Sequence, residues 1–177
     1  MPFDYKKEYR ELYQPSKKTE IVEIPAMNFI AIRGKGDPNE PKGEYQAAVG
    51  ALYAVAYALK MSPKSGYLIE GYFPYVVPPL EGLWWQGDGD LVDDSRKENF
   101  EWISMIRQPD FIRREDVDWA VTKAVQKKVD ASLVEFFPYC EGLCVQCTHI
   151  GSYEEEPISI AARRPLQLQM DTRRISV

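Results

Sequence analysis

Residues 100–107 read FEWISMIR, and the reading of this stretch decides the fold. Successive side chains of a strand point to opposite faces, so Phe100, Trp102, Ser104 and Ile106 share one face. Glu101, Ile103, Met105 and Arg107 share the other, and Pro109 ends the run. Upstream, residues 80–86 (LEGLWWQ) read as a second short strand, joined to the first by the acidic turn GDGDLVDDSRKE. Before the Pro78-Pro79 break, residues 67–77 read as a strand bent near Gly71 and Pro74. Residues 44–61 are the clearest helix: Tyr45, Ala48, Val49, Leu52, Val55, Ala56 and Leu59 follow the rhythm of one apolar face. Ser62-Pro63 stops it, because the residue before proline resists helix.

Outward from this centre, residues 28–33 read as a strand and residues 34–41 as a loop of turn-formers. A second helix over residues 115–128 carries the stripe Val117, Ala120, Val121, Ala124 and Val125. Its lysines, Lys123, Lys127 and Lys128, lie at the end favoured by the helix dipole. Residues 133–139 and 143–150 read as strands, and Glu154, Glu155 and Glu156 open a third helix. Strands and helices mixed in this way make an α+β chain.

Composition narrows the function. At 177 residues the chain suits one domain, or one built from two similar halves, with core enough to need no disulfide. A net charge of −5 argues against direct nucleic-acid binding. No apolar run is long enough to span a membrane, and MPFDYKKEYRELY has no signal-peptide core, so a cytoplasmic protein is expected. Cys140, Cys144, Cys147 and His149 resemble a metal site in spacing. Strand alternation, however, separates Cys144 from Cys147, so no metal is expected. Neither GxGxxG nor a P-loop occurs, so no nucleotide cofactor is expected, and no glycine-flanked nucleophilic serine appears.

Aromatic residues crowd the middle of the chain: Tyr67, Tyr72, Phe73, Tyr75, Trp84, Trp85, Phe100 and Trp102. One sheet face so lined can wall a cavity for a flat apolar ligand, although an ordinary core is the commoner use. His149, the one histidine, titrates near neutrality and suits acid–base work, but most histidines have no catalytic task. Tyr153 is a hydrogen-bond donor for a cleft, or a packing residue. Glu70 and Glu101 lie in strand-like segments and either face inward or, as is commoner, outward.

Three stretches, EGLWWQGDGD (81–90), FEWISMIRQPDFI (100–112) and EGLCVQCTHIGSYEEEP (141–157), come in the order seen in GyrI-like small-molecule-binding proteins, which the chain resembles over about residues 18–162. It resembles more narrowly the stand-alone branch that has an extra helix between its halves and includes cyclopropanoid cyclopropyl hydrolases. The resemblance implies an α+β fold of tandem strand–helix–strand–strand modules with antiparallel sheet around a ligand cleft. It implies an N-terminal arm over residues 1–18, a first module over 19–112, an inserted helix over 113–130 and a second module starting at 143–162. Residues 163–177 are basic, lack aromatics and do not continue the pattern, so the second module is expected to be incomplete. An open sheet edge there would favour a homodimer. By motif position Trp84, Trp85 and Trp102 would wall the cleft, with Tyr72, His149 and Tyr153 as further ligand contacts. Three functions follow from the resemblance. The first is binding a flat hydrophobic or aromatic compound in drug or toxin resistance. The second is hydrolysis of the cyclopropane ring of DNA-alkylating natural products. The third is shielding of gyrase through a protein interface.

Overall fold

The computed structural model describes residues 1–87 and 96–151. Among them are six strands: β1 (Glu20–Ile24), β2 (Met27–Lys35), β3 (Leu80–Gln86), β4 (Phe100–Gln108), β5 (Glu135–Tyr139) and β6 (Gly142–Gln146). Two short helices, α1 (Tyr5–Glu8) and α2 (Arg10–Tyr13), precede the long helices α3 (Glu44–Lys60) and α4 (Arg114–Gln126). The mixed α+β composition with antiparallel sheets agrees with the sequence reading. The chain forms two units, one from residues 1–5 and 27–139, the other from residues 6–26 and 140–177. The expected third helix and the tail over 163–177 lie outside the described residues.

The first unit is built on a sheet of order β3-β4-β2-β5, all neighbours antiparallel. From β2 through α3 to β3 and β4 the chain runs strand–helix–strand–strand. α3 buries Ala48, Ala51, Leu52, Val55, Ala56 and Leu59 against Ile30, Ile32 and Ile106 of the sheet. Each large aliphatic side chain so buried contributes about 1.5–3 kcal/mol. α4 adds Val117, Ala120 and Ala124 to the same core. At its start the Asp116 carboxylate accepts the Arg113 backbone N–H at 2.8 Å and the Tyr67 hydroxyl at 3.0 Å. An otherwise orphaned donor at the helix entry is thereby satisfied.

Residues 67–77 do not form the expected strand. Gly71 has φ +77°, and the prolines at 74, 78 and 79 offer no N–H to a ladder. Among the described residues the strand pairing of this stretch is one parallel bridge, Phe3 to Tyr75. Phe3 donates its N–H to Pro74 and accepts that of Val76, each at 2.8 Å.

Tyr75 is 1% exposed, and its hydroxyl has no hydrogen-bond partner among the described residues. Burial, then the neighbouring Tyr72 and Tyr5, push its pKa far above the ordinary phenol value. Unfolded chains release this proton above about pH 10 while the folded protein keeps it, so the stabilisation is full below that pH and falls as pH rises past it. Tyr75→Phe is expected to flatten that alkaline decline and to raise stability at neutral pH by about 1 kcal/mol. Urea midpoints across an alkaline pH series check both effects.

The second unit pairs β1 with β6, antiparallel, with Val22 opposite Cys144. β1 was not foreseen. β6 is shorter than the expected strand over 143–150, ending at Gln146. Beyond it Thr148 is tied to the other segment of the same unit, its N–H to Ser16 at 2.9 Å and its hydroxyl to Pro15 at 2.6 Å. Burial, and then Glu141, raise the pKa of the Cys144 thiol.

Candidate functional site

A sheet covered by helices on one side commonly turns a polar face to the other. This one does not. α3 and α4 pack over the face bearing Ile30, Ile32, Trp102 and Ile106. The opposite face carries a second apolar cluster of Phe29, Ala31, Ile103 and Met105, all buried. Strand register assembles it: Ala31 lies opposite Met105, and Ile103 lies between Arg33 and Leu83. Half-buried Leu83 and Trp85 flank it on β3, and Met27, Phe137 and Tyr139 flank it on the other side. The rings of Phe137 and Tyr139 stack with centroids 5.5 Å apart. The half-buried side chains at its rim, Leu83, Trp85, Phe137 and Tyr139, are the part that offers apolar and ring surface to a flat ligand.

Charge also enters this face: Glu81, half-buried on β3 and in phase with Leu83 and Trp85, lies opposite Met105. The Arg33 guanidinium lies 5.1 Å from the centroid of Phe137 and ion-pairs with Glu135 at 2.8 Å. Both side chains are substantially exposed, so the pair contributes less than about 1 kcal/mol and serves mainly to fix where the guanidinium sits. Arg107, by contrast, is buried, with its guanidinium 4.8 Å from the Tyr5 ring. Such cation–π contacts strengthen when desolvated.

The sequence-derived candidates separate. Trp84 and Trp102 are paired across β3 and β4, on the helix side. Trp102 is fully buried there, with Tyr45 edge-on to it at 5.1 Å and Trp84 tilted at 6.4 Å. Trp85 lies on the opposite face, beside Leu83 and Ile103. Adjacent residues of a strand cannot wall one cavity together, so three tryptophans do not make a single surface. Tyr72 is elsewhere again: its hydroxyl donates to the Lys60 carbonyl at 2.6 Å, and its ring packs near Tyr75 and Phe111. Burial raises its pKa. His149 belongs to the second unit, half-buried beyond β6. Tyr153 lies outside the described residues. Glu70 is exposed, 3.4 Å from Arg113, and Glu101 is exposed at the sheet margin opposite Lys35.

Sequence reasoning missed Phe29, Leu83, Phe137 and Tyr139 as members of one face. The signal was present in principle, because each is in period-2 phase within its strand. Only the strand order and register align the phases of these three strands. Among the described residues no group of three or more His, Cys, Asp or Glu side chains is placed to hold a metal ion, and no helix is long and apolar enough to cross a membrane.

Comparison with known proteins gives two results. The sequence profile of the GyrI-like small molecule binding domain matches residues 17–162. Among solved structures the chain is similar to a hydrolase from Listeria innocua, at 40% identity and a TM-score of 0.83, over 96% of this chain and 81% of that one. A second hydrolase structure from the same organism has 40% identity and a TM-score of 0.87, over 97% and 82% of the two chains. An uncharacterized conserved protein from Listeria innocua has 41% identity and a TM-score of 0.86, over 96% and 82%. No match was found among curated proteins.

Proposed function

Because the chain belongs to the family of GyrI-like small molecule binding domains, we propose that it holds a flat, hydrophobic or aromatic compound against the half-buried rim of the second apolar cluster, where Leu83, Trp85, Phe137 and Tyr139 lie. The observation that carries this reading is the second apolar cluster, on the face of the sheet away from α3 and α4. Burial of a three-ring aromatic on such a surface is favourable through apolar area and ring stacking. A role in drug or toxin resistance fits a ligand of this kind. Titration with acridine, followed by quenching of tryptophan emission, tests the reading. Saturable quenching is expected, and its absence at ligand concentrations up to solubility would contradict it.

Similarity at 40% identity to proteins described as hydrolases favours a second reading on the same face. The substrate would be a DNA-alkylating natural product with a strained cyclopropane. The oxygen of water bonds to the electrophilic ring carbon and a carbon–carbon bond of the ring breaks. Its electron pair passes into the conjugated carbonyl system, which takes up the proton. An aromatic wall excludes bulk water and orients the ring for attack. Incubation with a cyclopropane-bearing alkylator separates the readings: turnover supports hydrolysis, and saturable quenching without ring opening leaves binding alone.

A further inference from the structure

A concavity lies along the outer surface of the first unit, between α3 and α4. Its volume is about 370 Å³, within the range of small-molecule sites. Helix periodicity builds it. On α3, Gly50, Tyr53 and Tyr57 follow one another on a stripe beside the buried face; on α4, Trp119 and Lys123 are four residues apart, and Lys127 at the C-cap continues the spacing. A Cβ at Gly50 would meet nothing within 4 Å, so the absent side chain is part of the opening.

The chemistry of the lining is selective. Tyr53 and Tyr57 lie 6.5 Å apart and tilted, and Tyr57 is 52% exposed. Facing them, Trp119 is held by Tyr67, which stacks on it at 4.2 Å with the planes 11° apart. A stacked indole is a rigid surface that loses little freedom when a ligand lands on it. Among the described residues the charged members of the lining are Lys123 and Lys127, in a chain whose net charge is −5. The Lys123 ammonium lies 5.9 Å from the Trp119 ring, and that of Lys60, just outside, 5.7 Å from Tyr57. Aromatic surface beside two ammonium groups and no carboxylate fits a flat molecule with one negative end.

We propose that this groove is a binding site for a small aromatic carboxylate, separate from the sheet face assigned above. The rings take the aromatic body between Tyr57 and Trp119, and Lys123 and Lys127 take the carboxylate at the open end. Calorimetric titration with 2-naphthoate tests it on the full chain. One molecule is expected to bind per chain, at least about tenfold more tightly than the neutral naphthalene-2-carboxamide, with the preference shrinking as salt is raised. The double variant Lys123→Glu with Lys127→Glu is expected to weaken naphthoate at least about tenfold. Gly50→Trp, which fills the opening from a position with free space, is expected to abolish binding while circular dichroism shows an intact helix and an unchanged melt. Trp85→Ala is expected to leave naphthoate binding unaltered, so failure at the sheet face and failure here are distinguishable. Equal affinity for acid and amide, indifference to the charge reversal, retained binding in a folded Gly50→Trp protein, or no heat with the native chain would each overturn the proposal.

Discussion

Trp102→Ala is expected to lower the stability of the protein by about 3–5 kcal/mol. The indole is fully buried at the centre of the sheet's helix side, enclosed by Tyr45, Trp84 and the end of α3. Its ring also fills the space over Gly34, where a Cβ would collide with the indole and with the Glu44 carboxylate. Truncation to alanine therefore removes the transfer energy of a whole indole and leaves a cavity that neighbours on two strands and a helix cannot collapse to fill. The buried indole N–H has no hydrogen-bond partner among the described residues, which offsets part of the loss because deletion also removes an unsatisfied donor. Trp84→Ala on the neighbouring strand is expected to cost about half as much, since Trp84 is only half-buried and its cavity opens to water. Urea unfolding of both variants, read by circular dichroism, checks the ranking. Equal losses for the two would mean that Trp102 does not occupy the centre of the packing.

That ranking was only partly legible in the sequence. Alternation in FEWISMIR put Trp102 on one face and Met105 on the other, and the strand β4 follows it. The stripe on residues 44–61 likewise became α3 with nearly the expected limits. Such signals are local: one face of one element repeats at its own period. Which aromatic residues share a surface is not local. Trp84 meets Trp102 because β3 pairs with β4 in the register that sets them opposite, and Phe137 joins the far face because β5 pairs with β2. Strand β1 escaped notice for the same reason. Its partner β6 lies more than a hundred residues away, and its own residues, EIVEI, are mostly exposed or half-exposed, so the period-2 pattern of burial is faint. Residues 67–77 misled in the opposite direction. Their tyrosines and valines have high strand propensity, but Gly71, Pro74 and the Pro78-Pro79 pair that follows decide the backbone, and there the chain winds through turns instead.

The alternation that separates Trp84 from Trp85 supplies an internal control for ligand binding. Trp85→Ala is expected to weaken acridine at least tenfold, about 1.4 kcal/mol of binding free energy. Trp84→Ala is expected to leave acridine affinity within about twofold, because its side chain points to the other side of the same strand. The magnitude for Trp85 follows from one lost stacking partner and the apolar area it shields, less what the half-buried Leu83, Phe137 and Tyr139 retain. Trp85 is half-buried on the edge strand, so its removal is expected to cost little stability, and loss of binding would then be loss of the surface and not of the fold. Phe137→Ala provides the matching test from the far side of the cluster: a ligand spanning the face loses affinity there too, whereas one confined to the β3 edge does not. Equilibrium quenching titrations require a correction for the emission each variant removes, so displacement of acridine measured by its own fluorescence is the cleaner readout. If Trp84→Ala weakens acridine and Trp85→Ala does not, the ligand sits on the helix side, and the apolar cluster of Phe29, Ala31, Ile103 and Met105 is packing alone.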